Sequence, residues 1–119
     1  MTTKTRSPIT THVLDLVEGR AATKVPVLLE GLDAKGKWKQ LGHSYTDSDG
    51  RVEDLLPVGT RAQAGTYQIT FDTQMYFAKR GTECFYPKVT IQFRLSEPER
   101  HHHIPLLLTT FGYSTYRGT

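Results

Sequence analysis

Three short segments of this 119-residue chain carry side chains able to handle protons or oxyanions. The first is Thr11-His12-Val13-Leu14-Asp15, where one histidine sits among apolar and β-branched neighbours. A histidine in such a strand is commonly structural. Its ordinary pKa of about 6.5 nonetheless suits it to exchange protons near neutral pH. The second is Thr46-Asp47-Ser48-Asp49-Gly50-Arg51, whose aspartates suggest a calcium loop. Placing Asp47, Asp49 and Gly50 at the third, fifth and sixth positions of that loop puts Tyr45 first and Leu56 twelfth. Neither offers a carboxylate, so the template fails. The segment reads instead as a turn in which Asp side chains accept from nearby backbone N–H groups and Gly50 takes a positive φ. Arg51 then follows the turn as a cationic fork for an anionic or carbonyl oxygen. The third segment is His101-His102-His103-Ile104-Pro105. In a strand His101 and His103 share a face, and with His12 they allow a three-histidine zinc site, but no zinc-specific spacing accompanies them. The simpler reading is a solvated cluster for His101 and His102. Pro105 marks an edge position or an irregularity in a ladder.

The chain closes on the hydroxyl-rich run Tyr113-Ser114-Thr115-Tyr116-Arg117-Gly118-Thr119. Two or three histidines, one arginine and such a tail suffice for metal-independent general acid–base hydrolysis. No Gly-x-Ser-x-Gly elbow, phosphate loop or dinucleotide fingerprint competes with that chemistry.

The elements that must position these groups are short strands separated by turns, the pattern of an all-β sandwich. Ile9 to Leu14 alternates, with Thr10, His12 and Leu14 on one face. Val25 to Leu32 and Trp38 to Tyr45 flank the turn chemistry of Asp33-Ala34-Lys35-Gly36-Lys37. Thr66 to Phe71 places Tyr67, Ile69 and Phe71 together, and Val89 to Leu95 does the same for Val89, Ile91 and Phe93. Thr73 to Lys79, stopped by Gly81, predicts one short helix. His103 to Leu108 and Tyr113 to Tyr116 complete the strands, and Ser96 to Arg100 is a surface loop. In Pro105-Leu106-Leu107-Leu108 successive leucines point to both faces, which calls for a cover on each side. That cover is either a subunit interface or an overlying loop. Residues 1–8 are expected to be a flexible segment ahead of one domain over residues 9–119.

Composition agrees with one soluble domain: hydrophobic residues are 37% and charged residues 23%. No apolar run nears the roughly 18–20 residues that span a bilayer, and no hydrophobic stretch follows the N-terminal basic residues. A cytoplasmic protein without a membrane role is the expectation. The net charge of +3 invites a nucleic-acid partner. The basic residues are dispersed, however, and the Lys35, Lys37, Lys39 group suits the solvated face of a hairpin better than a phosphate track. With Cys84 as the sole cysteine, no intrachain disulfide forms.

Taken together and in order, these segments resemble the transthyretin-like 5-hydroxyisourate hydrolases from about Ile9 to Thr119. The likeness rests on His12-Val13-Leu14-Asp15, Thr46 to Arg51, Phe71-Asp72-Thr73, Tyr76-Phe77, Phe85-Tyr86-Pro87, His103 to Leu108 and Tyr116-Arg117-Gly118-Thr119. The resemblance implies a transthyretin-like two-sheet sandwich with one short helix, assembled as a homotetramer with sites in a channel between subunits. It implies ring opening of 5-hydroxyisourate in urate degradation, with no metal or other cofactor and no nucleic-acid or membrane partner.

By the same likeness His12, Arg51, His103 and Thr119 are catalytic, and Tyr116 joins His12, Arg51 and Thr119 in binding substrate. One of His12 and His103 serves as general base toward water and the other orients it. Arg51 stabilises charge at the attacked carbonyl and disfavours protonation of a nearby histidine. His102 stands where the family usually has Tyr, which is expected to alter a surface contact. Thr119 stands where it usually has Ser, keeping the hydroxyl but adding a methyl group. The rival reading is a hormone-like binding protein on the same fold, as transthyretin itself is.

Overall fold

The computed structural model describes residues 7–57 and 59–119. In chain order the elements are β1 (Ile9–Asp15), β2 (Arg20–Ala21), β3 (Pro26–Leu32), β4 (Trp38–Tyr45), β5 (Arg51–Val52), β6 (Gly65–Phe71), α1 (Thr73–Ala78), β7 (Val89–Leu95), β8 (His102–Leu108) and β9 (Tyr113–Thr115). One sheet runs β2-β1-β8-β9, with β5 also paired to β1, and the other runs β4-β3-β6-β7. This is the two-sheet, one-helix architecture that the sequence indicates. No helix among the described residues is long and apolar enough to cross a membrane.

Period-two alternation decides which side chains enter the sandwich. Ile9 and Val13 of β1, Val27 and Leu29 of β3, Ile69 and Phe71 of β6, and Leu106 of β8 are all fully buried. Each such side chain contributes on the order of 1.5–3 kcal/mol. The opposite face of β1 carries Thr10, His12 and Leu14, the last two half-buried. Thus the apolar stripe that secures the strand also turns His12 outward.

β1 holds the first sheet together. It pairs in parallel with β8 on one edge. Its other edge is shared, β5 taking Thr11 and His12 and β2 taking Leu14 and Asp15. The two-residue strands β2 and β5 are too short to show alternation, and the sequence does not reveal them.

Three expectations need correction. Residues 1–6 of the expected flexible segment lie outside the described residues, but Ser7 and Pro8 belong to the folded unit. Ser7 is fully buried; its N–H donates to Glu53 O at 2.9 Å, and its Oγ accepts from Ile9 N at 3.2 Å and Leu56 N at 3.1 Å. Pro105 is not on an edge, because β8 lies between β1 and β9. The irregularity is nevertheless present. The β8–β9 ladder stops at Leu106–Thr115 and resumes in the same register as the single bridge His103–Gly118. Between those points Pro105 has no N–H to give, and its carbonyl accepts from Thr115 Oγ1 at 2.7 Å. Finally, His102 is not in a solvated cluster. It is 5% exposed, shares the inner face of β8 with Ile104, Leu106 and Leu108, and hydrogen bonds through Nδ1 to Arg100 O at 3.0 Å. Its difference from the family's Tyr therefore falls inside the sandwich.

The helix is fastened to the end of β1. Asp72 caps it by accepting from Met75 N at 3.0 Å, and Gly81, at φ +66°, follows its last turn. Tyr76, 1% exposed, donates its hydroxyl to Asp15 Oδ2 at 2.6 Å. The other oxygen of that fully buried carboxylate accepts from Val17 N at 2.8 Å and Glu18 N at 3.0 Å. Burial, and then the hydrogen bond and charge of Asp15, push the Tyr76 phenol above its ordinary pKa. The Arg80 guanidinium lies 3.8 Å from the ring centroid. Replacing Tyr76 with Phe leaves one carboxylate oxygen unpaired in the interior. The expected loss is about 1–3 kcal/mol, to be read from the urea midpoint at unchanged m-value.

Candidate active site

Four stretches of chain meet on the outer face of the first sheet. Thr10 and His12 come from β1. Arg51 comes from β5, whose antiparallel register sets it directly across from His12. Directly opposed residues share a face, so the guanidinium and the imidazole emerge side by side. His103 comes from β8, where it lies opposite Thr10, while Pro105 lies opposite His12. The tail returns over this surface through the His103–Gly118 bridge, with Gly118 N donating to His103 O at 2.8 Å. The result is a cleft of about 320 Å³ that includes His12, Arg51, His103, Tyr116 and Thr119 in its wall. Every site residue expected from the sequence therefore lines one cavity.

Local sequence explains each placement. Asp47 Oδ1 accepts from Asp49 N at 2.8 Å and Arg51 N at 3.0 Å, which closes the turn. Gly50 adopts φ +75°, and its carbonyl accepts from Val13 N at 2.7 Å. A Cβ there would meet Val13 O at 2.5 Å. Only glycine fits both the conformation and the approach, so Gly50 presses the turn against β1 and delivers Arg51 beside His12. Thr46, buried at the start of the turn, donates to Ala22 O at 2.7 Å and accepts from Val25 N at 2.8 Å. At the tail, a Cβ on Gly118 would meet His103 Cδ2 at 2.6 Å, so the backbone itself packs against the imidazole edge.

The histidines lie within reach of a common small molecule: the His12 and His103 ring centroids are 6.4 Å apart, at 34°. Burial is the first cause that lowers the His12 pKa below its ordinary value, and the positive charge of Arg51 is the second. A backbone hydrogen bond from Asp49 and the charges of Asp47 and Asp49 oppose the shift without cancelling it. His12 is thus held neutral at a pH where a solvated histidine is partly protonated. Among the described residues no group of His, Cys, Asp or Glu is arranged to hold a metal ion. His101 and His103 instead direct Nε2 and Nδ1 respectively onto one hydroxyl, Thr10 Oγ1, each at 2.8 Å.

A family model described as HIUase/Transthyretin matches residues 9–118. The chain belongs to the HIUase/transthyretin family. It is 42% identical over 114 residues to the 5-hydroxyisourate hydrolase of Mus musculus, spanning 95% of this chain and 96% of that one. Among solved structures, it superposes on the 5-hydroxyisourate hydrolase of Klebsiella pneumoniae with a TM-score of 0.82 and 32% identity, covering 93% of this chain and 97% of that one. Sea bream transthyretin in complex with thyroxine gives a TM-score of 0.88 and 30% identity, with 95% and 96% covered. Backbone likeness in this family therefore spans a hydrolase and a thyroxine complex, and side chains must separate them.

Sequence reasoning missed Thr10, Glu53 and Arg117 as cleft residues, and it took His101 for solvated surface. Thr10 was within reach, since alternation puts it on the face of His12. What was missing was the β1–β8 register that sets it against His103. The His12–Arg51 pairing has a direct consequence. Replacing Arg51 with Gln removes a nearby positive charge, so the His12 pKa is expected to rise in an NMR titration of the ring protons. An unchanged His12 titration would show that the two groups do not interact.

Proposed function

We propose that this chain hydrolyses 5-hydroxyisourate to 2-oxo-4-hydroxy-4-carboxy-5-ureidoimidazoline, a step of urate degradation. The observation that carries the proposal is the single cleft in which His12, Arg51, His103, Tyr116 and Thr119 converge. The names of the mouse and Klebsiella relatives support it. A protein that only holds a ligand has no need of two histidines in one cleft, one of them kept neutral beside a guanidinium.

In this reading Arg51 binds the imide oxygens of the substrate and stabilises the oxyanion that forms at the attacked carbonyl. His103 takes a proton from water as it attacks. Its ring is fixed on two sides, by Thr10 Oγ1 at Nδ1 and by the Gly118 backbone near Cδ2. His12, neutral because of its burial and Arg51, orients the water and substrate through hydrogen bonds. The C–N bond of the ring then breaks and the departing nitrogen receives the proton. Tyr116 shapes the rim, and the Thr119 hydroxyl holds the water or a histidine. General acid–base assistance of this kind is worth roughly 10²–10⁴-fold. Because His12 must stay neutral and its pKa is lowered, the acid limb it imposes on kcat/KM falls below pH 6.5.

The test generates 5-hydroxyisourate in situ and follows its decay. The intact protein accelerates decay over the spontaneous rate, and alanine at both His12 and His103 removes the acceleration. Decay no faster than background with the intact protein refutes the assignment. Normal decay with a protein lacking Thr119 refutes only the role of the tail.

We further infer a homotetramer whose cleft-bearing faces meet. Leu14 and Leu107 are register partners, both half-buried on the same face as His12 and His103. Light scattering is expected to give four times the 13.5 kDa chain mass. A monomer at micromolar concentration would overturn this.

A further inference from the structure

The Thr10 hydroxyl that steadies His103 also meets a second imidazole. Thr10 is 2% exposed, and its Oγ1 lies between two rings, 2.8 Å from His101 Nε2 and 2.8 Å from His103 Nδ1. The two rings face each other at 6.2 Å between centroids and 22°. A hydroxyl has one proton and two acceptor lone pairs. When it donates to one of the two ring nitrogens, the other must donate to it. With the Thr10 proton on the His101 side, the His103 proton is therefore at Nδ1.

We propose that Thr10 and His101 form a proton relay behind His103, with Thr10 as a positioning residue that keeps His103 in the tautomer a base requires. The proposal rests on the reading of His103 as the acceptor toward water. That acceptor atom is Nε2, because Nδ1 is engaged by Thr10. A lone pair at Nε2 requires the proton at Nδ1, which is donated to Thr10 Oγ1, whose own proton is donated to His101 Nε2. When water attacks, its O–H bond breaks and the proton forms a bond to His103 Nε2. The Nδ1 proton passes to Thr10 Oγ1, and the hydroxyl proton passes to His101 Nε2. His103 is then neutral and His101 carries the positive charge. When the ring C–N bond breaks, His103 gives its Nε2 proton to the nitrogen while the relay runs backwards, and all three groups return to their starting states.

The register orders the three groups along the sheet. Arg51 is opposite His12, and along β8 the residue opposite His12 is Pro105. His103 is two residues, and His101 four residues, from that point. The relay thus passes the proton away from the His12–Arg51 pair along the sequence, to a histidine just before β8 that lines the same cleft as Arg51, Glu53 and Arg117.

Three variants test the relay: Thr10→Val, which keeps the shape and removes the hydroxyl; Thr10→Ser, which restores it; and His101→Gln, which holds a hydrogen bond but cannot take a proton. The imidazole ¹⁵N shifts of His103, recorded without substrate, are expected to report Nδ1–H in the parent and in Thr10→Ser and a mixture of tautomers in Thr10→Val. In turnover, Thr10→Val and His101→Gln are expected to lower kcat by about 10–100-fold, part of the general-base contribution. KM should stay within about twofold and the pH profile should change, whereas Thr10→Ser should stay close to the parent. Parent-like ¹⁵N shifts in Thr10→Val, or parent-like kcat and pH profile in both Thr10→Val and His101→Gln, would overturn the relay. If the parent itself did not hydrolyse 5-hydroxyisourate, the proposed function would fail, while the ¹⁵N measurement would still decide whether Thr10 sets the tautomer.

Discussion

The cleft depends first on the parallel pairing of β1 with β8, two strands from opposite ends of the chain. Its register places Thr10 beside His103 and leaves His12 two pairs further along, opposite Pro105. A slip of one residue would turn every side chain of β1 to the other face, sending His12 into the sandwich and Ile9 and Val13 into solvent. That exchange is prohibited by the core. Ile9, Val13 and Leu106 are fully buried, and Thr11, also fully buried, donates its hydroxyl to Ile104 O at 2.6 Å across the pair. The apolar face thus fixes the position of the polar one. The groups that line the cleft are aligned by a packing constraint set on the other face of the sheet.

Two further contacts complete the cleft, and in both a glycine allows backbone to approach closely. Gly50 brings the Asp47–Arg51 turn onto β1, and Gly118 brings the tail onto the His103 ring. In this chain the interior sets the frame, and the outer face of the first sheet carries the cleft.

Much of this was legible in the sequence, for identifiable reasons. Alternation in Ile9 to Leu14 and in Thr66 to Phe71 exposes the inner faces because strand side chains repeat every second residue. The Asp-x-Asp-Gly-Arg letters show their turn because the required side-chain acceptor and positive φ are local properties. Register is not local. Nothing within β1 or β8 alone states that Thr10 meets His103, and the two residues of β5 cannot show a period. His102 is a different case. If His101 and His103 share one face, His102 must take the other, and a run of three histidines concealed that simple geometry behind a polar composition. The interior tolerates it because its Nδ1 finds the Arg100 carbonyl.

The β1–β8 pairing also imposes an order of events on folding. β1 is synthesised early, but its parallel partner spans residues 102–108 and must wait for most of the chain. Contacts so far apart in sequence are slow to form because a long loop has to close first. The second sheet, whose antiparallel neighbours run β4-β3-β6-β7, has shorter loops to close than the β1–β8 pair. Until that long loop closes, the Ile9–Val13 stripe and the β8-facing edge of β1 lack their partner, the condition under which strands pair with other chains. The strand that most constrains the finished cleft is therefore also one whose long edge is covered only after residues 102–108 arrive.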